Sequence, residues 1–233
     1  IVIFFLSFLY SNQEPLIYSN PDPFDVDIQT KSIAISELKG FYSGYIGHRK
    51  IYENFKNQDI YKNHKSSSKD YWKQKFNYEI FKNINHVNTD RKLHLGFQDL
   101  GLVDFYKVSY LIFGIDSSSP TYLYYLLLFF SSLIFFLSFQ NEPKKKYLLF
   151  LFGLSHLIMV QFIENIGQEL YVVSNRRYLP VLTIIPTINI LIFLFENKYK
   201  SLKSTIFIYI QFSILYFVIH ARSSAEYQIF LLY

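Results

Sequence analysis

Three aspartates, Asp22, Asp25 and Asp27, fall within six positions of the stretch IYSNPDPFDVDIQTKS, residues 17–32. Carboxylates at this spacing offer two chemistries. Asp25-Val26-Asp27 is a D-x-D pair whose hard oxygens suit a divalent cation such as Mg or Mn. Asp22 or Asp25 could instead act as a general base. The same residues also fit a turn at Asn20-Pro21-Asp22-Pro23 followed by a helix that Asp25 or Asp27 caps. Aspartate is a preferred cap, and proline restricts the residue before it. The residue types leave both readings open.

Basic residues form a second constellation. In SNRRYLP, residues 174–180, Arg176 and Arg177 stand just ahead of an apolar run, and HARSSAEY supplies His220 and Arg222. Paired guanidiniums at a helix start can clamp a phosphate or pyrophosphate, or snorkel to lipid headgroups. A third set lies within an apolar run, LFGLSHLIMVQFIENIGQE. There His156, Val160 and Glu164 recur every four residues along one helix face, with Gln161 on the adjacent line. Polar groups inside a membrane face the bundle interior or an aqueous cavity. His156 and Glu164 could therefore line a substrate or proton path, or only tie helices together by hydrogen bonds. The His of residues 48, 64, 86 and 94 lack metal-ligand spacing and read as ordinary surface or core histidines.

The surrounding elements decide where such groups stand. The chain is 51% hydrophobic and 18% charged, with 25 Phe and 21 Tyr and no Cys. The missing cysteine excludes disulfides and thiolate metal sites. Four apolar stretches, 121–139, 147–163, 179–195 and 205–220, approach the roughly 20 residues that a helix needs to cross about 30 Å of hydrocarbon. Residues 1–10, IVIFFLSFLY, read as a truncated transmembrane helix. Residues 11–120 form a hydrophilic region whose end, 100–114, reads as an interfacial or re-entrant helix, and 221–233 starts a further apolar segment. Ser119 and Pro120 predict the N-cap and N1 of the first complete span. Pro186 predicts a kink within the third. The fold class expected is an α-helical polytopic integral membrane protein, a fragment of a longer chain.

Lysine counts orient it. The loops 140–146 and 196–204 carry three basic residues each, against three in total for 164–178 and the segment after His220. The excess places the lysine loops in the cytoplasm and residues 11–120 outside it. Over 11–107 there are 14 Lys/Arg and 12 Asp/Glu, so the net +5 does not form the one-signed field that nucleic acid requires.

An acidic stretch directly after the first span, on the outer side, resembles the membrane glycosyltransferases of the GT-C class. Asp22-Pro23-Phe24 is similar to the Asp-Pro-aromatic of oligosaccharyltransferase catalytic subunits. The resemblance implies a bacterial plasma-membrane enzyme that transfers sugar from a polyprenyl-phosphate carrier. Asp22, Asp25 and Asp27 would then be catalytic or metal-binding, and Arg176, Arg177, His220 and Arg222 would bind the carrier. The alternatives are a non-enzymatic membrane component, such as a transporter part or scaffold subunit, or a polysaccharide polymerase or ligase.

Overall fold

The computed structural model describes residues 2–10, 21–62, 76–85, 90–94, 100–166, 179–196 and 201–221, and at 10, 21–25, 100 and 161–166 only the backbone. Among these residues the protein is mostly helical: α1 (Val2–Tyr10), α2 (Pro21–Leu38), α3 (Arg49–Lys56), α4 (Asp59–Lys62), α5 (Glu79–Lys82), α6 (Leu100–Phe113), α7 (Ser119–Ser138), α8 (Pro143–Ile166), α9 (Ile184–Phe195) and α10 (Leu202–Ala221). Two short strands, β1 (Ile46–His48) and β2 (Lys92–His94), pair antiparallel with Gly47 opposite Leu93. The chain divides into two compact units, one built mainly of residues 13–122 and the other of 1–12, 123–165 and 173–233.

In the first unit α2 is the central element, and every residue from Thr30 to Ser36 is buried. Three of these are hydroxyl residues that would be costly inside without partners. Thr30 and Ser36 donate to the carbonyls of Val26 and Ser32, and Ser32 to that of Ile28, each one turn back. The helix ends in a Schellman arrangement: the Phe41 N–H reaches the Ser36 carbonyl, and Gly40 takes the left-handed conformation with φ 70°. Strand β1 lies flush on α2 because residue 47 is glycine. A Cβ there would stand 2.8 Å from Ile33 Cγ1 and 2.9 Å from Ile33 Cα.

His48 then starts α3, accepting the Lys50 N–H at Nδ1 while its own N–H donates to Ser36 Oγ. This histidine is a buried structural cap. Ile51 and Phe55 form the buried stripe of α3. Phe55 is the hub of an aromatic cluster with Phe76, Tyr78 and Phe81 at centroid distances of 5.2, 5.6 and 4.4 Å. Helix α6 packs along α2, burying Leu102, Val103, Phe105, Tyr106 and Tyr110.

The second unit contains α1, most of α7, and α8 to α10. Helices α7 and α10 are 20 residues each, long and apolar enough to cross a membrane by length and composition, and Leu179–Phe195 is a shorter apolar segment. Large apolar side chains lie on their surface as well as in their interior, and several polar side chains are buried. Phe129, Phe130 and Phe136 of α7, Tyr147, Phe150 and Ile158 of α8, and Ile206, Tyr209, Phe212 and Tyr216 of α10 are exposed. Ser131, Ser132, His156, Thr187, Asn189 and Gln211 are buried.

Three local expectations are corrected. The acidic stretch is not a turn with an aspartate cap: α2 begins at Pro21, so Asp22, Asp25 and Asp27 are helical. Both prolines fit because the first turn of a helix has no intrahelical use for its N–H groups, and aspartates there complement the helix dipole. Ser119 is the first residue of α7 rather than the residue before it, and its hydroxyl donates to the Gly114 carbonyl at 2.6 Å, while Asp116 accepts the Ser118 N–H. Pro186 does not fall in the middle of one α-helix: a 3-10 turn (Leu179–Thr183) runs into α9, and Pro186 lies in the first turn of α9.

Candidate functional site

Asp27 and Lys31 face α6 from α2, one turn apart. Their charged atoms meet at 2.9 Å, with side chains only 12% and 8% exposed. The Tyr106 hydroxyl donates to the other Asp27 oxygen, and the Lys31 ammonium lies 5.7 Å from the Tyr106 ring centroid. Both carboxylate oxygens of Asp27 are thus engaged by protein groups. A carboxylate so held is a structural partner of Lys31; coordinating a metal or taking a proton would require breaking that pair.

A second charged node lies further along α2 and α6. Lys107 bridges Glu37 at 2.7 Å and Asp104 at 3.3 Å. Tyr45 reaches both carboxylates: its N–H donates to Glu37 Oε1 and its hydroxyl to Asp104 Oδ2 at 3.1 Å. Tyr45 has φ 64°, an uncommon conformation for a residue with a Cβ, worth roughly 1–3 kcal/mol of strain that the two hydrogen bonds offset. The hydrogen bond to Glu37, with Asp104 beside it, raises the Lys107 pKa above the ordinary lysine value. Burial and the bond to Asp104 raise that of Tyr45. Lysine stays a cation and tyrosine a phenol, so the four groups brace the 39–45 loop against α6. Asp104 and Lys107 were legible as an i,i+3 pair on a helix. Glu37 and Tyr45 carried no sequence signal, since their part depends on the left-handed turns at Gly40, Gly44 and Tyr45.

In the second unit His156 is 2% exposed, as is Val160 one turn on, so this face of α8 points inward. Phe4, Tyr124, Tyr125 and Phe152 surround the imidazole at centroid distances of 5.9–6.3 Å. Its Nε2 is 3.0 Å from the Tyr124 hydroxyl, and its Nδ1 has no hydrogen-bond partner among the described residues. Two protons and one shared contact leave a fixed remainder. If the phenol donates to Nε2, the Nδ1 proton lacks an acceptor; if Nε2 donates, the phenol proton does. Asn189 is likewise fully buried with neither amide atom paired, as is the Ser7 hydroxyl. By contrast Gln211 and Ser131 satisfy each other: the Ser131 hydroxyl donates to Gln211 Oε1 at 2.8 Å, and Gln211 Nε2 donates to the Ser131 carbonyl at 3.0 Å.

The other predicted residues are placed less fully. Asp22 and Asp25 lie in the first two turns of α2, and Gln161 and Glu164 in the last turns of α8, with side chains outside the described residues. His220 is in the last turn of α10, exposed and stacked on Tyr216. Arg176, Arg177 and Arg222 lie outside the described residues. Among the described residues no group of three His, Cys, Asp or Glu could hold a metal ion. The chain matches no known protein family, curated protein or solved structure.

Proposed function

We propose that this chain is a polytopic integral membrane protein whose helical bundle buries polar side chains that handle a proton or polar solute. One observation carries the membrane reading: in the 123–221 unit large apolar side chains face outward while serine, glutamine, asparagine and histidine are inside. Water would oppose that arrangement, whereas hydrocarbon favours it. Lys145 pairs with Glu142 and Glu196, which joins the two lysine-rich loops at one end of the bundle. That end is the cytoplasmic one by the basic-residue rule, with residues 11–120 on the opposite side of a bacterial plasma membrane. The Tyr124–His156 pair, with its one unaccepted proton, is the interior group to which a proton or hydrogen-bond acceptor would come. His156→Phe should abolish transport or proton movement in reconstituted vesicles and leave insertion intact; unchanged flux would reject the role.

Sugar transfer from a polyprenyl-phosphate carrier is the second reading. The acidic cluster follows the apolar α1 segment closely in sequence, which favours it. Because Lys31 and Tyr106 occupy Asp27, Asp22 and Asp25 would supply the base or hold Mg or Mn. Arg176, Arg177, His220 and Arg222 would bind the carrier phosphate. Asp25→Asn should then abolish transfer of sugar from a lipid-linked donor while the variant folds normally. Full activity in both Asp22→Asn and Asp25→Asn would remove this reading.

A further inference from the structure

The lysine-rich end of the 123–221 unit holds a half-open cavity of about 180 Å³, lined by the α7 end (Leu137, Ser138, Phe139), the turn Gln140–Glu142, Phe193 of α9 and the α10 start (Lys203, Ser204, Phe207). Its accessible lining is mostly polar, from Ser138, Gln140, Asn141, Ser204 and Lys203; Phe139 and Phe193 are buried behind it, and Leu137 and Phe207 are the more open apolar residues. The exposed apolar surfaces of α7 and α10 end here, at Phe136–Leu137 and Leu202–Ile206. In a membrane-embedded bundle that level is the headgroup region.

The lysines around the cavity lie back on aromatic rings. The ammonium of Lys203 stands 5.5 Å from the Phe207 centroid, Lys146 5.5 Å from Phe136, and Lys145 4.6 Å from Phe139. Lys145 is shared by Glu142 and Glu196, so the carboxylate in the lining is ion-paired. Lys203 is exposed and has no ion pair among the described residues. An ammonium over a ring at headgroup depth, beside serine and amide groups, offers a phosphodiester both charge and hydrogen bonds. Phe207, half-buried at the edge of the lining, offers apolar contact to the first carbons of an acyl chain.

From this geometry we infer that the cavity is a binding site for the headgroup of an anionic phospholipid, with Lys203 on its phosphate and Phe207 beside its first acyl carbons. The inference rests on the membrane reading above. It also adds to that reading, because a site of this kind holds the lysine end at the leaflet richer in anionic lipid.

The test uses the full chain, purified in mild detergent and incubated with phosphatidylglycerol in a phosphatidylcholine background, with retained lipids counted by native mass spectrometry. One phosphatidylglycerol should remain bound to the wild type. Lys203→Gln should weaken it by about tenfold, the scale of one charge-assisted contact. Phe207→Ala should weaken it as well, while Lys144→Gln, the same charge change outside the lining, should not. Equal loss in Lys203→Gln and Lys144→Gln, or no loss in either, overturns the site. Displacement of the lipid by millimolar inorganic phosphate would make the cavity a soluble-anion site and would also overturn the proposal. Flotation with phosphatidylcholine vesicles is scored in parallel. Wild-type chain that fails to float refutes the membrane reading itself, whereas floating chain without retained lipid refutes only the cavity.

Discussion

Replacing Asp27 should destabilise the 13–122 unit, and the loss should depend on Lys31. The two side chains are 12% and 8% exposed and meet at 2.9 Å. Breaking a buried ion pair from one side costs about 3–5 kcal/mol, because the remaining charge is left in a poor solvent. Asn at position 27 keeps an oxygen for the Tyr106 hydroxyl, which lowers the expected loss to about 2–3 kcal/mol. Lys31→Met should cost a similar amount by stranding the carboxylate. The double variant Asp27→Asn/Lys31→Met strands neither charge and should lose only about 1 kcal/mol relative to wild type. Native-state hydrogen exchange on the amides of residues 28–36 reads these differences directly. Each single variant should lower protection by about 30- to 150-fold, and the double variant by far less. Strictly additive single losses, or an Asp27→Asn variant as protected as wild type, would refute the structural role of Asp27. The second outcome would restore it as a candidate catalytic carboxylate.

Gly47→Ala should cost about 1–3 kcal/mol by forcing β1 off α2, since the new methyl would meet the Ile33 backbone at 2.9 Å. Gly44→Ala, which has open space but φ 65°, should cost only the backbone strain; urea midpoints compare the two. Alkaline pH should loosen the same unit. Lys107 and Tyr45 both have pKa values raised by folding from 10.5 and 10.0, so the folded state holds more protons than the unfolded one above those values. Their contribution is complete below about pH 10 and lost as pH rises through the folded pKa values. Lys107→Met combined with Tyr45→Phe should flatten that alkaline limb in a pH series of unfolding midpoints. Gln211→Leu should lower the melting temperature of the reconstituted protein by removing both partners of Ser131, a loss of about 1–2 kcal/mol.

The apolar helices were readable because length and hydropathy are local properties. The helices α7, α8 and α10 begin and end within four residues of the runs read from sequence, and α8 starts over a polar flank that hydropathy alone omits, Pro143–Lys146, whereas α9 starts five residues into its run, after a 3-10 turn. The packing of Phe55 with Phe76, Tyr78 and Phe81 follows from a segment rich in aromatics. The polar nodes were harder to read. Asp27 looked available because its partner Tyr106 stands 79 residues away, and no sequence pattern links them. Asp22-Pro23 suggested a turn because proline disfavours helix interiors, yet the first helical turn removes the objection. His156 was legible as a polar residue within an apolar run, whereas its closed aromatic surroundings depend on Phe4 from a distant part of the chain.

The account rests on the 123–221 unit being embedded in lipid, and the native chain has no cysteine, so single-cysteine labelling is unambiguous. Tyr209 near the middle of α10 is 70% exposed, and Leu202 at its start is 78% exposed. In sealed vesicles a water-soluble maleimide should label Leu202→Cys rapidly and Tyr209→Cys at most slowly, with detergent or denaturant erasing the difference. Equal, rapid labelling of both positions in intact vesicles would place α10 in water and contradict the account.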